Sequence, residues 1–416
     1  MINSKKALVV GGGVQHTLAI RMLKEHGFVV ILVDNTPNPP AKEVADKHIQ
    51  ENAFNSDILE AVARKEAVDI IFNICYDLAT PAVGFVSKKL CLPSPYTYEQ
   101  ALQYTDKMQM KEMFVKYGIP TAKYCIVSSN EICNHNLTYP IVVKPVDSSG
   151  SRGIAKVFTS YDCVNAVESA RNQSRIGNVL LEEFIEGDEY QVDCVVEGGR
   201  AHVVLAKQKL RFEPDKVVSP AGSLIVPDDE NRLYEEETSL ANKLAKIFGI
   251  KNGVFFYQCI EREGVLYMIE LGVRLGGGLG YKMIKEIKGV DFVQVATDAY
   301  LKMPLKYEMR KNTKYYLTNA VFATRPCLVQ SISGLSGLYS DGTLRSLDVY
   351  HADEFKVDGC ITNKNRLALF MIEASNMNQL RQKYQKVIEN ISIKSDVEDN
   401  CFDSSLYYSL LNRVCK

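Results

Sequence analysis

No run of about 20 consecutive apolar residues occurs in the sequence, so a membrane-spanning helix is not expected. The 11 cysteines are odd in number and contain no C-x-x-C pair. That pattern argues against a disulfide framework and for reduced thiols in a cytoplasmic protein. The six histidines are well separated and include no H-E-x-x-H or other zinc spacing, which argues against a zinc centre. No secretory leader is recognisable, since Met1–Lys6 precedes only the short run Ala7–Val10 and then glycines. A net charge of −1 creates no global field for nucleic acid or an anionic membrane. Basic residues cluster only locally, at Lys107–Lys116 and Lys282–Lys288. There is no internal repeat, no low-complexity tract and no convincing Cys/His or Ser/His pair.

What remains is ordinary globular material. The chain has 416 residues, 46% hydrophobic and 24% charged, and that length predicts roughly two to four domains or subdomains. One stretch organises the rest: Tyr139 to Val157, YPIVVKPVDSSGSRGIAKV. An apolar run ends in Lys144, Pro145 stops the strand, and Asp147 to Gly153 are small and flexible before alternation resumes at Ile154. Glycines let the backbone approach a bulky anion. Consecutive N–H groups, serine hydroxyls and the two cations Lys144 and Arg152 can then grip phosphate oxygens. Read alone, the same stretch is equally a Gly/Ser hairpin loop with solvated charges.

The chain opens as β-α-β. Ala7–Val10 reads as a buried strand followed by Gly11, Gly12 and Gly13, Thr17–His26 as a helix, and Phe28–Val33 as a strand ending at Asp34. A dinucleotide fingerprint would need glycine where His16 stands, so a structural doubly wound domain is the better reading. Helices follow at Ile58–Lys65 and Val83–Lys89, with a strand at Val68–Ile74; Pro93 and Pro95 close this part. Thr105 and Asp106 cap a helix from Lys107 to about Lys116. Further on, Asn178–Glu183, Tyr190–Val196 and His202–Lys207 read as strands, and Arg211–Pro227 as a mobile loop. Glu235–Phe248 reads as a helix, and Gly253–Glu261 with Val265–Glu270 as a hairpin. Gly272–Gly280 holds five glycines in nine residues. After Tyr315 the pattern mixes strand and turn, with a helix at Asn376–Ile388. The last twenty or so residues are polar and are expected to be loosely attached, apart from a short helix around Leu406–Leu411.

Four features fall in one order: Lys107 in TDKMQMKEMFVKYGIPTAKY, the Lys144–Gly153 loop, LLEEFIEGDEYQVD (Leu180–Asp193), and YQCIEREGVLYMIELGVRLGGG (Tyr257–Gly278). This order resembles the ATP-grasp superfamily, in particular the branch containing carbamoyl phosphate synthetase, purine-biosynthesis ligases and bacterial L-amino acid ligases. The resemblance implies an α/β fold with α+β grasp lobes: an N-terminal doubly wound parallel-sheet domain (1–95), grasp lobe A (96–185), grasp lobe B (186–310), and a small C-terminal α+β subdomain with tail (311–416).

The resemblance also implies roles. Lys107 and Lys144 neutralise the triphosphate of ATP. Ser148, Ser149, Gly150, Ser151, Arg152 and Gly153 close over its outer phosphates. Glu182, Glu183, Phe184 and Ile185 form a hinge that reads the adenine, and Glu189 takes the ribose hydroxyls. Glu270 bridges Mg²⁺ (or Mn²⁺), with Gln258 as a second oxygen donor. Arg274 stabilises the transferring phosphoryl group or holds a substrate carboxylate. Lys207, Lys209 and Arg211 are further phosphate candidates. The asparagine of the family's E-x-N-x-R pattern is Gly272 here, so one metal-side oxygen is missing. The implied chemistry joins a carboxylate to an amine through an acyl phosphate, on an amino acid or similar small metabolite. Purine-type or bicarbonate-activating enzymes and a non-catalytic nucleotide binder are the alternatives. Small-molecule carboxylates and amines are the implied partners, with no nucleic acid and no membrane, and a homodimer is common among such proteins.

Overall fold

The opening β-α-β pattern forms where the sequence predicts it. Strand Lys6–Val10 pairs in parallel with Val29–Val33 on one side and Ile70–Phe72 on the other. Lys47–Ile49 completes a four-stranded sheet. Apart from the edge strand Lys47–Ile49, these strands are mainly apolar runs because parallel sheets are covered on both faces; Ala7 to Val10 are wholly buried. Helices Ser56–Glu66 and Thr80–Lys89 contribute Leu59, Val62, Ala63, Val83 and Val86 to one core with Leu8, Val10, Ile31 and Ile71. The first of these helices starts where it does because the Asn55 side chain accepts from the Asp57 and Ile58 amides. The computed structural model describes residues 4–128, 135–147, 153–212, 221–351 and 354–414. Its chain divides into two compact units: residues 1–122, 192–205 and 233–310 form one, and 123–191, 206–232 and 311–416 the other.

The glycine turn after the first strand is packed by the chain's own side chains. A Cβ on Gly11, whose φ is +95°, would lie 2.0 Å from the Tyr76 ring, and one on Gly12 would lie 2.3 Å from Pro39. Asp34 accepts from the Gly12 amide at 2.7 Å and from the Thr36 amide at 2.8 Å. His16 is wholly buried and stacks on Tyr76 with 5.2 Å between ring centroids. Glycine, acid and histidine thus build the turn itself, as the structural reading of this domain expects.

Burial holds the His16 imidazole down to about 4, with attraction to Asp34 opposing it more weakly. Between the unfolded value near 6.5 and the folded value, the unfolded chain takes up a proton that the folded protein does not. Stability from this residue is therefore full above about pH 6.5 and falls as pH is lowered. We expect urea denaturation to report a loss of about 2 kcal/mol between pH 7 and pH 5. His16→Gln should flatten that dependence, whereas an equally steep curve in the variant would assign it elsewhere.

In the same unit, Tyr98–Thr105 forms a helix not evident in the sequence, closed by reciprocal capping between Thr97 and Gln100. Helix Lys107–Lys116 follows as expected, with the Asp106 side chain accepting from the Met108 and Gln109 amides. Strands Gly253–Arg262 and Val265–Gly272 make the predicted antiparallel hairpin. Helices Tyr234–Ile247, Gly280–Lys288 and Phe292–Tyr300 complete this unit.

The second unit holds an antiparallel sheet in the order Tyr124–Val127, Val179–Glu183, Ile141–Pro145, Ala155–Val157. Helix Ser160–Gln173 packs Cys163, Val167 and Ala170 against it. A larger core lies under strands Gly222–Ile225, Tyr315–Val321, Ala368–Ala374 and Ser346–Val349, and includes residues of helices Met377–Asn390 and Ser404–Val414.

The C-terminal tail differs from expectation. Cys401, Phe402, Tyr407, Leu410 and Leu411 are buried in that core. The Tyr407 hydroxyl donates to the Ala320 carbonyl at 3.0 Å and accepts from the Phe322 amide at 3.1 Å. The segment's apolar residues recur at helical spacing, which outweighs its polar average. Tyr407→Phe leaves both backbone groups buried without that partner. We expect a cost of about 1–3 kcal/mol in urea denaturation; no measurable change would mean the tail is dispensable. Among the described residues, no helix is long and apolar enough to cross a membrane, and each described cysteine is a free thiol.

Candidate functional site

The hairpin Gly253–Arg262/Val265–Gly272 brings several of the predicted residues onto one face. Gln258 lies opposite Glu270, and Phe256 opposite Gly272. Residues two apart on a strand share a face, so these two rungs are neighbours. The register shifts beside the Gln258–Glu270 rung; such bulges re-aim side chains. Glu270 and Gln258 are both half-buried. The Glu270 carboxylate makes no hydrogen bond or ion pair with any described residue, and it adds weakly to the forces that keep nearby Arg274 charged. A half-buried carboxylate with no hydrogen-bond or ion-pair partner among the described residues, opposite an amide side chain, is a donor set suited to a hard divalent cation. Among the described residues, no three His, Cys, Asp or Glu gather as a metal cage. A cation here would keep water or ligand oxygens in its remaining positions, which is how Mg²⁺ is usually held.

Phe256 is 4% exposed and lies over Gly272, where an added Cβ would sit 2.6 Å from its ring. Arg274 lies over the same ring, its guanidinium 4.9 Å from the centroid. Both Nε and Nη2 of Arg274 donate to Asp77, with Nε 2.5 Å from Oδ1, and Nη1 donates to the Leu275 carbonyl at 2.6 Å. Burial disfavours its charge, but Asp77, then Cys75 and Glu270, outweigh that and hold Arg274 above its ordinary value. Asp77 escaped the sequence reading. Its one signal was its place just beyond strand Ile70–Phe72, at the carboxyl end of a parallel sheet, where ligands gather in such folds.

The glycine-rich segment after Gly272 is tied to that same sheet end. The Leu275 amide donates to the Ile74 carbonyl at 2.9 Å, and Gln15 Nε2 donates to the Gly278 carbonyl at 3.0 Å. Burial pushes the neighbouring Cys75 thiol up to about 12, so it stays protonated at neutral pH. Lys107 is half-buried at the start of its helix. One turn on, Lys111 is 2% exposed and donates to Thr121 Oγ1 and to the Met268 carbonyl. It thereby anchors the strand that carries Glu270.

The other predicted residues belong to the second unit. Lys144 and Glu182 sit on adjacent antiparallel strands, diagonal across the rungs Lys144–Leu180 and Val142–Glu182. They form an ion pair with side chains only 6% and 8% exposed. The Glu183 amide donates to the Lys123 carbonyl and the Phe184 amide to the Pro140 carbonyl, both at 2.9 Å, so two of the hinge N–H groups are used by the protein itself. Ile185 follows, half-buried. Lys156 lies 3.5 Å from the centroid of the Phe184 ring, a contact the sequence did not suggest. Glu189 is paired with Arg211. Ser148 to Arg152 lie outside the described residues, as do residues 213–220; the Arg211–Pro227 segment, expected to be a mobile loop, forms the strand Gly222–Ile225 in its described part, because that strand pairs on both sides. Gly153, at the end of the predicted loop, has φ +72° and leaves 2.9 Å between an added Cβ and Pro145. Where the loop begins, Asp147 accepts from Ser174 Oγ and from the Arg175 amide, both at 2.9 Å.

Residues 137–281 match the family model of the ATP-grasp domain. The chain carries an ATP-grasp domain and has the ATP-grasp fold, α/β with a parallel-sheet domain and antiparallel sheets. It is 24% identical over 323 residues to the carbamoyl phosphate synthase large chain of Clostridium beijerinckii, covering 73% of this chain and 30% of that one. The chain thus spans less than a third of the length of the curated relatives it matches. Its structure is similar to an L-amino acid ligase from Bacillus licheniformis, with TM-score 0.76, 16% identity, and coverage of 94% of this chain and 99% of that one. It is also similar to the biotin carboxylase domain of Hydrogenobacter thermophilus 2-oxoglutarate carboxylase, solved with MgADP and bicarbonate, with TM-score 0.70, 17% identity, and coverage of 94% and 91%.

Proposed function

We propose that this protein is an ATP-dependent carboxylate–amine ligase acting on an amino acid or a similar small metabolite. The observation that carries the reading is the Gln258–Glu270 rung: a half-buried carboxylate facing an amide, on the strand that leads to Arg274, inside the matched domain. Bound Mg²⁺ (or Mn²⁺) would be held there by Glu270 and Gln258 and would supply charge neutralisation for nucleotide phosphates. Lys107 and Lys144 carry point charges for the triphosphate. For Lys144 to do so, its pairing with Glu182 must loosen or be shared with phosphate oxygens. Ile185 reads the purine edge, since the amides of its two predecessors are already bonded. Glu189, paired with Arg211, takes the ribose.

A carboxylate oxygen of the substrate attacks the γ-phosphorus, giving an acyl phosphate and ADP. An amine then attacks the acyl carbon and expels phosphate. The protein positions the reactants and stabilises charge, as in phosphoryl transfer generally. Arg274, oriented by Asp77 and the Phe256 ring, presents a fixed cation to the carboxylate or the transferred group. No protein nucleophile is required, in keeping with a Cys75 thiol that stays protonated. Carboxylate and amine metabolites are the partners this reading implies, with a cytoplasmic location and a homodimer as its working expectations.

Bicarbonate activation is the second reading, favoured by the relatives named for carbamoyl phosphate synthase and biotin carboxylase. One assay separates the two. Protein, ATP and Mg²⁺ are offered single amino acids, then pairs, then bicarbonate, while ADP and phosphate are followed. Phosphate release that depends on a pair of amino acids supports the ligase. Dependence on bicarbonate transfers the assignment to the second reading. Tight ATP binding without hydrolysis in every mixture would sink both and leave a nucleotide-binding protein.

A further inference from the structure

We propose that this chain takes a single divalent cation with its nucleotide, at Gln258 and Glu270, and that Phe256 closes the adjoining rung to a second. The proposal rests on the ligase reading above and concerns how its phosphates are neutralised. The Gln258–Glu270 rung offers two side-chain oxygen donors. The next rung on the same face, Phe256–Gly272, offers none. The space a side chain at 272 would enter is already filled: its Cβ would meet Phe256 Cε1 at 2.6 Å and Cζ at 2.8 Å. That ring is 4% exposed, so it cannot swing into solvent without repacking its surroundings.

A fixed positive charge occupies the same neighbourhood. The Arg274 guanidinium lies 4.9 Å from the ring centroid and is held through Nε and Nη2 by Asp77 and through Nη1 by the Leu275 carbonyl. A guanidinium stays ionised under all ordinary conditions and carries no oxygen that a cation could use. It also supplies, without any metal, positive charge for anionic oxygens. Glycine at 272, the buried ring and the clamped arginine therefore act together. They replace an oxygen donor by an aromatic shelf carrying a permanent cation.

The test counts ions. Mn²⁺ is titrated into protein saturated with the β,γ-imido analogue of ATP, and bound Mn²⁺ is quantified by electron paramagnetic resonance against protein-bound nucleotide. One Mn²⁺ per bound nucleotide is expected. Two would overturn the proposal and leave the ligase reading standing. Failure to retain the analogue at any Mn²⁺ concentration would overturn both. The double variant Phe256→Val/Gly272→Asn opens the rung and adds an amide oxygen, and its count should rise from one to two. A folded double variant that still binds one ion would show that Phe256 is not what closes the rung. The wild-type count stands by itself if that variant fails to fold.

Discussion

Glu270→Gln is expected to reduce ATP-dependent ADP release by roughly 100- to 1000-fold, because a metal-held phosphoryl group is stabilised by several kcal/mol. The substitution keeps the shape and one oxygen but removes the charge. Glu270 lies opposite Gln258 on the hairpin face. Among the described residues it has no hydrogen-bonding or ion-pair partner of its own, so losing its charge removes only a weak attraction to Arg274, which Asp77 still holds. The folded state should therefore be unaffected, and circular dichroism and urea denaturation should overlay those of the parent. Turnover should be the casualty, only partly restored by raising Mg²⁺. Activity within about threefold of the parent at ordinary Mg²⁺ would remove Glu270 from the cation site, given the several kcal/mol at stake.

Asp77→Ala is expected to act oppositely, first on stability. It removes the partner of a guanidinium whose side chain is only 15% exposed, and breaking such a pair from one side costs about 3 kcal/mol. Urea denaturation should show that loss, whereas an exposed pair of the same kind would cost under about 1 kcal/mol. The combined variant Asp77→Leu/Arg274→Met leaves no orphan charge and should recover most of the stability. It should not recover turnover, because Arg274 is then absent. Asp77→Ala itself should lower turnover at least about tenfold, since the arginine loses the clamp that orients it. If stability falls but turnover does not, Asp77 is a structural partner only.

Much of the fold was legible. The short apolar runs at Ala7–Val10 and Phe28–Val33, bounded by glycines and turn residues, read as strands of a covered sheet. The cap at Asp106 and the hairpin around Gly264 are local signals, and local signals survive folding. The helix Tyr98–Thr105 was missed because eight residues carry too little periodicity to stand out. The tail was misjudged for a related reason: polarity averaged over a segment hides the few residues, Tyr407, Leu410 and Leu411, that carry its attachment.

The site was legible in part. Glu270 and Gln258 were named from their motif, and the hairpin register sets them face to face. Gly272, read as a missing oxygen donor, is the seat of the Phe256 ring. Asp77 was invisible because its partner Arg274 is 197 residues away.

The sequence by itself determined the opening β-α-β unit, the Asp106-capped helix and the hairpin around Gly264. These follow from periodicity, capping and spacing, which depend on near neighbours along the chain. Only the tertiary structure decided that the first glycine turn is filled by Tyr76 and Pro39, that Arg274 is clamped by Asp77, and that the Phe256 ring fills the space beside Gly272. Those are contacts between distant segments. They are set by how side-chain volumes and charges fit once the backbone is folded, and no local pattern encodes them.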